Sequence, residues 1–192
     1  MQAVCPTRTS QTPSVTFSLD IQLAPDLNDA PVPQILQGEL ESCLTALAQT
    51  LPEMSTQSLL RDICLRLCDE AESQALNRDY RDRNKPTNVL SFGVLAPESV
   101  LPASESAEPM VDVPEMPLGD LAICWPIVVR EARQQHKTTT HHLCHLFTHG
   151  VLHLMGWDHE SSAEALAMEK IECAALARLG IADPYLGNAV DS

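Results

Sequence analysis

The 192-residue chain (21.0 kDa) carries 26 Asp+Glu against 12 Lys+Arg, a formal charge of −14 with a pI near 4.7. That balance argues against a broad basic coat for nucleic acid and against a polybasic membrane anchor. An apolar share of 44% allows one globular core, which the seven aromatics leave mainly to Leu, Val, Ile and Ala.

Residues 1–13 read as a loose polar tail ahead of a single domain over 14–187. Met1 to Ser10 hold one Arg and no apolar run, so no signal peptide is expected. No stretch approaches the length of a transmembrane helix, and the expected location is the cytoplasm, with no membrane partner. Seven cysteines (Cys5, Cys43, Cys64, Cys68, Cys124, Cys144, Cys173) show no zinc-ribbon spacing and read as small buried hydrophobes in a reducing compartment.

Residues 15–23 alternate Val15, Phe17, Leu19, Ile21 and Leu23 with polar neighbours, the pattern of a half-buried strand. Ile35, Leu36, Leu40, Leu44 and Leu47 then recur at helical spacing. A second alternation, Ile63, Leu65 and Leu67, predicts another strand, followed by a helix over about 70–80. Short strands are predicted at 89–92 and 121–125. Between them, 94–117 holds five Pro and four Glu without a basic residue and reads as a long solvated loop. Helices are predicted at about 127–135, 140–155 and 161–179, with Met168, Ile171, Ala175 and Leu179 on one face of the last. The expected fold is α+β: one domain, a small mixed sheet of about four strands and about five helices, with a metal site on a helix and the turn after it.

All seven histidines fall within 136–159. His149 and His153, four apart on a helix, lie one turn apart on one side and can converge on a cation. Gly156 supplies a left-handed stop that lets His159 return to the same ion. Three neutral imidazoles suit one Zn²⁺ and leave a position for water, whose pKa falls to about 7 on zinc. His145, one turn before His149, fits an orienting hydrogen bond or a structural role equally; His136, His141 and His142 are expected near a helix start, in solvent. Asp158 fits a proton carrier or a helix-capping turn former.

The residue after the first histidine is Gly150, so the Glu of a His-Glu-x-x-His zinc protease is missing. The segment His149-Gly150-Val151-Leu152-His153-Leu154-Met155-Gly156-Trp157-Asp158-His159 instead closely resembles the signature of the YbeY-type endoribonuclease (rRNA maturation factor) family. So do Leu76-Asn77-Arg78-Asp79-Tyr80-Arg81, Lys85-Pro86-Thr87-Asn88-Val89-Leu90-Ser91-Phe92, Leu118 to Cys124, and Glu169 through Asp183-Pro184-Tyr185; together they span roughly 61–185. Gly93 stands where that family usually has Pro, Trp157 where it has Tyr, and 94–117 is longer than usual. The resemblance implies a zinc-dependent, single-strand-type endoribonuclease that matures small-subunit ribosomal RNA in ribosome biogenesis, with His149, His153 and His159 as zinc ligands and Arg81 in the cleft. RNA and the small ribosomal subunit are the implied partners, and no DNA is expected.

The charge map agrees with that placement. Nine of the twelve basic residues lie between 61 and 137, with Arg78, Arg81, Arg83 and Lys85 within eight positions. A local cationic strip on an acidic body can hold a phosphate backbone at one cleft. The expected chemistry is hydrolysis of an RNA phosphodiester by zinc-held water, with Arg81 on the phosphate and Asp158 or the zinc hydroxide as base. Two alternatives are a non-catalytic assembly factor with structural zinc, which usually needs four protein ligands, and a zinc peptidase, disfavoured by Gly150.

Overall fold

A computed structural model describes residues 16–27, 36–51, 60–93 and 117–186. The tail expected at 1–13 and the loop over 94–116 lie outside the described residues.

The alternating runs form strands, and their parity sets which side chains share a face. β1 (Thr16–Leu23) pairs in parallel with β2 (Leu60–Cys68), with Leu19 opposite Ile63 and Ile21 opposite Leu65. β2 pairs in parallel with β4 (Gly119–Cys124), placing Leu65 beside Leu121 and Leu67 beside Ile123. β3 (Val89–Gly93) runs antiparallel to β4 and closes the order β1-β2-β4-β3 as an edge strand. Phe17, Leu19, Ile21 and Leu23 of β1, Ile63, Leu65 and Leu67 of β2, Val89 of β3 and Leu121 and Ile123 of β4 face one main core, which also contains Leu40, Leu44, Leu47, Phe147, Val151 and Leu152. These come from α1 (Leu36–Thr50) and α4 (Thr139–Leu154). The opposite face carries a smaller cluster, Cys68, Leu90, Ala122, Cys124 and Ile127, with Leu76 of α2 (Glu70–Arg81) against it.

The fourth strand differs from its expected span of 121–125. It begins at Gly119, whose φ of +140° brings it so close to β3 that a Cβ would sit 2.4 Å from the Phe92 carbonyl oxygen. It ends at Cys124, because Trp125 already opens α3 (Trp125–Gln134) and Pro126 occupies the first turn. Proline is at home there, since its missing N–H would have no partner inside the helix.

The last helix, α5 (Ser162–Arg178), starts with a capping box: the Ser161 hydroxyl accepts from the Glu164 N–H and the Glu164 carboxylate accepts from the Ser161 N–H. That reciprocal pair fixes where the turn after α4 must end. No helix among the described residues is long and apolar enough to cross a membrane.

Candidate metal centre

Helix α4 is buried on most of its circumference, from His142 and Leu143 to Val151, Leu152 and Leu154. His145, His149 and His153, spaced by four, form the partly exposed stripe that remains. The helix lies close to the sheet because position 150 has no side chain. A Cβ there would be 2.8 Å from a Leu121 methyl, and the Gly150 carbonyl accepts from the Ser91 hydroxyl at 3.2 Å. A glutamate at this position would therefore collide with Leu121, which explains in packing terms why the protease pattern is broken here.

At the end of α4, Gly156 takes φ +89°. Its N–H donates to the His153 carbonyl at 3.0 Å, and the Trp157 N–H reaches back to the Leu152 carbonyl at 3.0 Å. This paired closure is a Schellman turn. It reverses the chain, so that the His159 ring stands 5.6 Å from that of His149 and 5.0 Å from that of His153, centroid to centroid. One ligand atom from each of the three histidines lies within 4.8 Å of the others. The Nε2 atoms of His149 and His153 are 3.1 Å apart, close to the edge of about 3.3 Å expected between nitrogens on a tetrahedral zinc ion. The site is thus shaped for a cation by imidazole nitrogens alone.

Which nitrogen of His149 faces that point is set from behind. Glu172 of α5 is fully buried, and its carboxylate accepts from His149 Nδ1 at 2.9 Å, from His145 Nε2 at 3.0 Å, and from the Tyr185 hydroxyl. Burial alone would push this carboxyl up, but the bonds from His145, His149 and Tyr185 outweigh it and hold it at about 2. An ionised carboxylate only accepts, so the proton of His149 is kept on Nδ1 and the Nε2 lone pair is left for a metal. His153 is lowered below the ordinary histidine value, first by burial and then by His149 and His159, which favours the neutral, ligating form.

Arg81 is delivered to the same place from the other side. It ends α2, and Asp82 turns the chain with φ +56°. Two buried polar residues of α2 then tie down the segment that follows: Asn77 donates to the Lys85 carbonyl at 2.7 Å, while Ser73 bonds both the Thr87 carbonyl and the Thr87 N–H. The guanidinium of Arg81 donates to the Tyr80 carbonyl at 3.0 Å and to the Ser91 carbonyl at 2.9 Å. Arg81, Arg83, Asn88, Ser91 and Asp158 line, with the three histidines, one cleft of about 560 Å³. Asp158 is exposed, and its carboxylate accepts from the His159 N–H at 2.8 Å; the cap of α5 is Ser161 instead. The cationic strip divides: Arg81 and Arg83 reach the cleft, while Arg78 is paired with Asp79 at 2.7 Å.

The family model described as Endoribonuclease YbeY matches residues 28–180. The chain belongs to the YbeY endoribonuclease family. It is 42% identical to Endoribonuclease YbeY of Alcanivorax borkumensis over 170 residues, 88% of this chain and 87% of that protein. It is 52% identical to that of Alkalilimnicola ehrlichii over 123 residues, 64% and 68% of the two chains. A solution structure from Thermotoga maritima is similar over 91% of this chain and 99% of its own, with a TM-score of 0.48 and 20% identity.

Against this YbeY framework, the expectation for His142 is corrected. It is not in solvent but buried, with Nε2 at 2.8 Å from Glu131, which also accepts from the Asn88 amide at 3.3 Å. His145 does not bond His149 directly; it meets it through Glu172. Glu172 carries no motif of its own in the sequence, and Tyr185 stands there only within the Asp183-Pro184-Tyr185 segment of the resemblance, with no role attached. The available signal was a carboxylate on the otherwise apolar face of α5, between Met168 and Leu176.

Proposed function

We propose that this protein is a metal-dependent endoribonuclease that hydrolyses phosphodiester bonds in ribosomal RNA during maturation of the small subunit. The observation that carries the reading is the convergence of three imidazoles on one face of a cleft whose other wall presents a pinned arginine. His149, His153 and His159 would hold one zinc ion, and among the described residues no fourth protein ligand joins them. That leaves the open position a catalytic ion needs and counts against a purely structural zinc. When bound, the ion lowers the pKa of water and polarises a phosphoryl oxygen.

The chain's own residues do the rest. Two of the five N–H groups of Arg81 are spent on the Tyr80 and Ser91 carbonyls, which fixes the plane of the guanidinium. The remaining donors grip a non-bridging phosphate oxygen and stabilise the charge that builds there during attack. Asp158, at the rim, accepts a proton from the attacking water and returns that proton to the leaving oxygen as the phosphorus–oxygen bond breaks. Arg83 extends the positive wall so that a phosphate backbone enters an acidic protein at one place. The setting is the cytoplasm, with the single domain spanning 14–187.

Metal analysis together with cleavage of small-subunit rRNA, for wild type and His153→Ala, tests this reading. The substitution should remove bound zinc and cleavage together. Cleavage that persists after the metal is stripped would overturn it.

A further inference from the structure

Side chains of successive strand residues point to opposite faces of a sheet, and on the edge strand β3 this places two hollows back to back. Ser91 turns towards α4 and the metal cleft. Phe92 turns the other way, into a second hollow of about 590 Å³ on the part of the sheet that α2 leaves open. Tyr80, one residue before Arg81, lies over this second hollow and meets Phe92 edge-on, with ring centroids 5.1 Å apart. The Arg81 guanidinium sits 5.7 Å from the Phe92 ring centre while also lining the metal cleft. One arginine therefore bridges the two hollows across the strand edge.

Tyr80 is 62% exposed, the one aromatic among the exposed large hydrophobic residues of the described chain. Its ring meets that of Phe92 at an interplanar angle of 74°, a contact that braces Tyr80 while most of its surface stays exposed among the described residues. The surroundings select what can lie on it. Asp120, the cross-strand neighbour of Phe92, and Glu72 line the hollow, and Arg66 is committed to Glu72 at 3.0 Å and to the Leu23 carbonyl at 2.9 Å. Phosphate is repelled by such a lining; a flat, uncharged ring with polar edges is not. Aromatic side chains beside a basic groove are the usual means of holding unpaired bases.

We infer that Tyr80, braced by Phe92, is a nucleobase-stacking platform that receives the unpaired base next to the phosphate gripped by Arg81. This rests on the RNA reading of the cleft and adds to it a residue that positions the substrate: the base next to the gripped phosphate is held by stacking on Tyr80. Tyr80 acts through the ring and not the hydroxyl.

The test uses the zinc-loaded protein and a single-stranded RNA oligonucleotide, with steady-state cleavage and, separately, quenching of 2-aminopurine placed at the base beside the cleavage position. Tyr80→Ala should raise KM roughly ten- to a hundredfold with kcat retained, and should abolish the quenching. Tyr80→Phe and Tyr80→Trp should restore both. Removing that one base from the RNA should raise the wild-type KM by the same factor and leave Tyr80→Ala unchanged. If wild type cleaves but neither Tyr80→Ala nor the abasic RNA alters KM or quenching, the platform is wrong and the nuclease reading stands. If wild type does not cleave yet quenches in a Tyr80-dependent way, the nuclease reading fails and the platform stands. If neither signal appears, both are overturned.

Discussion

Replacing Glu172 by Gln tests whether the residues behind the histidines set the affinity for metal. The carboxylate accepts three hydrogen bonds, from His145, His149 and Tyr185. Glutamine has the same shape but only one accepting end. If its amide NH₂ faces His149 Nδ1, the imidazole must move its proton to Nε2, the atom turned towards His153. If its carbonyl faces His149, the NH₂ confronts His145 and Tyr185, both of which must turn. Either arrangement weakens the hold on the ligating tautomer. Loss of such an outer carboxylate typically costs 10–100-fold in metal affinity, or about 1.4–2.7 kcal/mol. Zinc affinity measured by competition with a chromogenic chelator should show this drop, with thermal unfolding of the metal-free proteins as a control for folding. Tyr185→Phe, which keeps the His149 bond, should lose less than Glu172→Gln. An affinity for Glu172→Gln indistinguishable from wild type would refute the orienting role.

Arg81→Ala should leave zinc content unchanged and lower turnover by about 100-fold, the scale of one lost transition-state donor; Arg81→Lys should recover little, because an ammonium cannot hold two carbonyls and a phosphate in one plane. An unchanged rate would remove Arg81 from the chemistry. Gly150→Ala should destabilise the fold by roughly 1–2 kcal/mol, since overpacking against the buried Leu121 costs more than the gain in helix propensity; a melting temperature equal to or above wild type would contradict the packing account. Glu131 is held below the usual carboxylate range by the His142 hydrogen bond, against burial and with help from Asn88. A depressed pKa contributes stability that is present above the unfolded value of about 4.3 and lost as pH falls through the folded one. The stability gap between metal-free wild type and Glu131→Gln should therefore be steady near neutral pH and close on acidification; a gap that is the same at both ends would exclude this pair as its source.

The strands, the helices and the three histidines were legible because their signals are local. Period-two alternation marks β1 and β2, and the four-residue spacing of His149 and His153 needs only one helix to have meaning. The start of α3 at Trp125 was hidden, because an apolar run from Leu121 to Trp125 does not say where a strand hands over to a helix. His142 was misplaced since its partner Glu131 belongs to the preceding helix, and only the packing of α3 on α4 brings them together. Glu172 was hidden for a similar reason: its three partners come from α4 and from the segment beyond α5.

The anchoring of Arg81 on the Ser91 carbonyl has a second consequence. Among the described residues β3 is the outer strand of the sheet, and an outer strand offers unpaired backbone groups to any other extended chain. By occupying one of those acceptors with a bulky cation, Arg81 blunts the rim against strand addition. The side chain proposed to grip RNA thereby also fills a backbone acceptor at the sheet rim, and a variant lacking it is expected to self-associate more readily, which sedimentation of Arg81→Ala beside wild type checks.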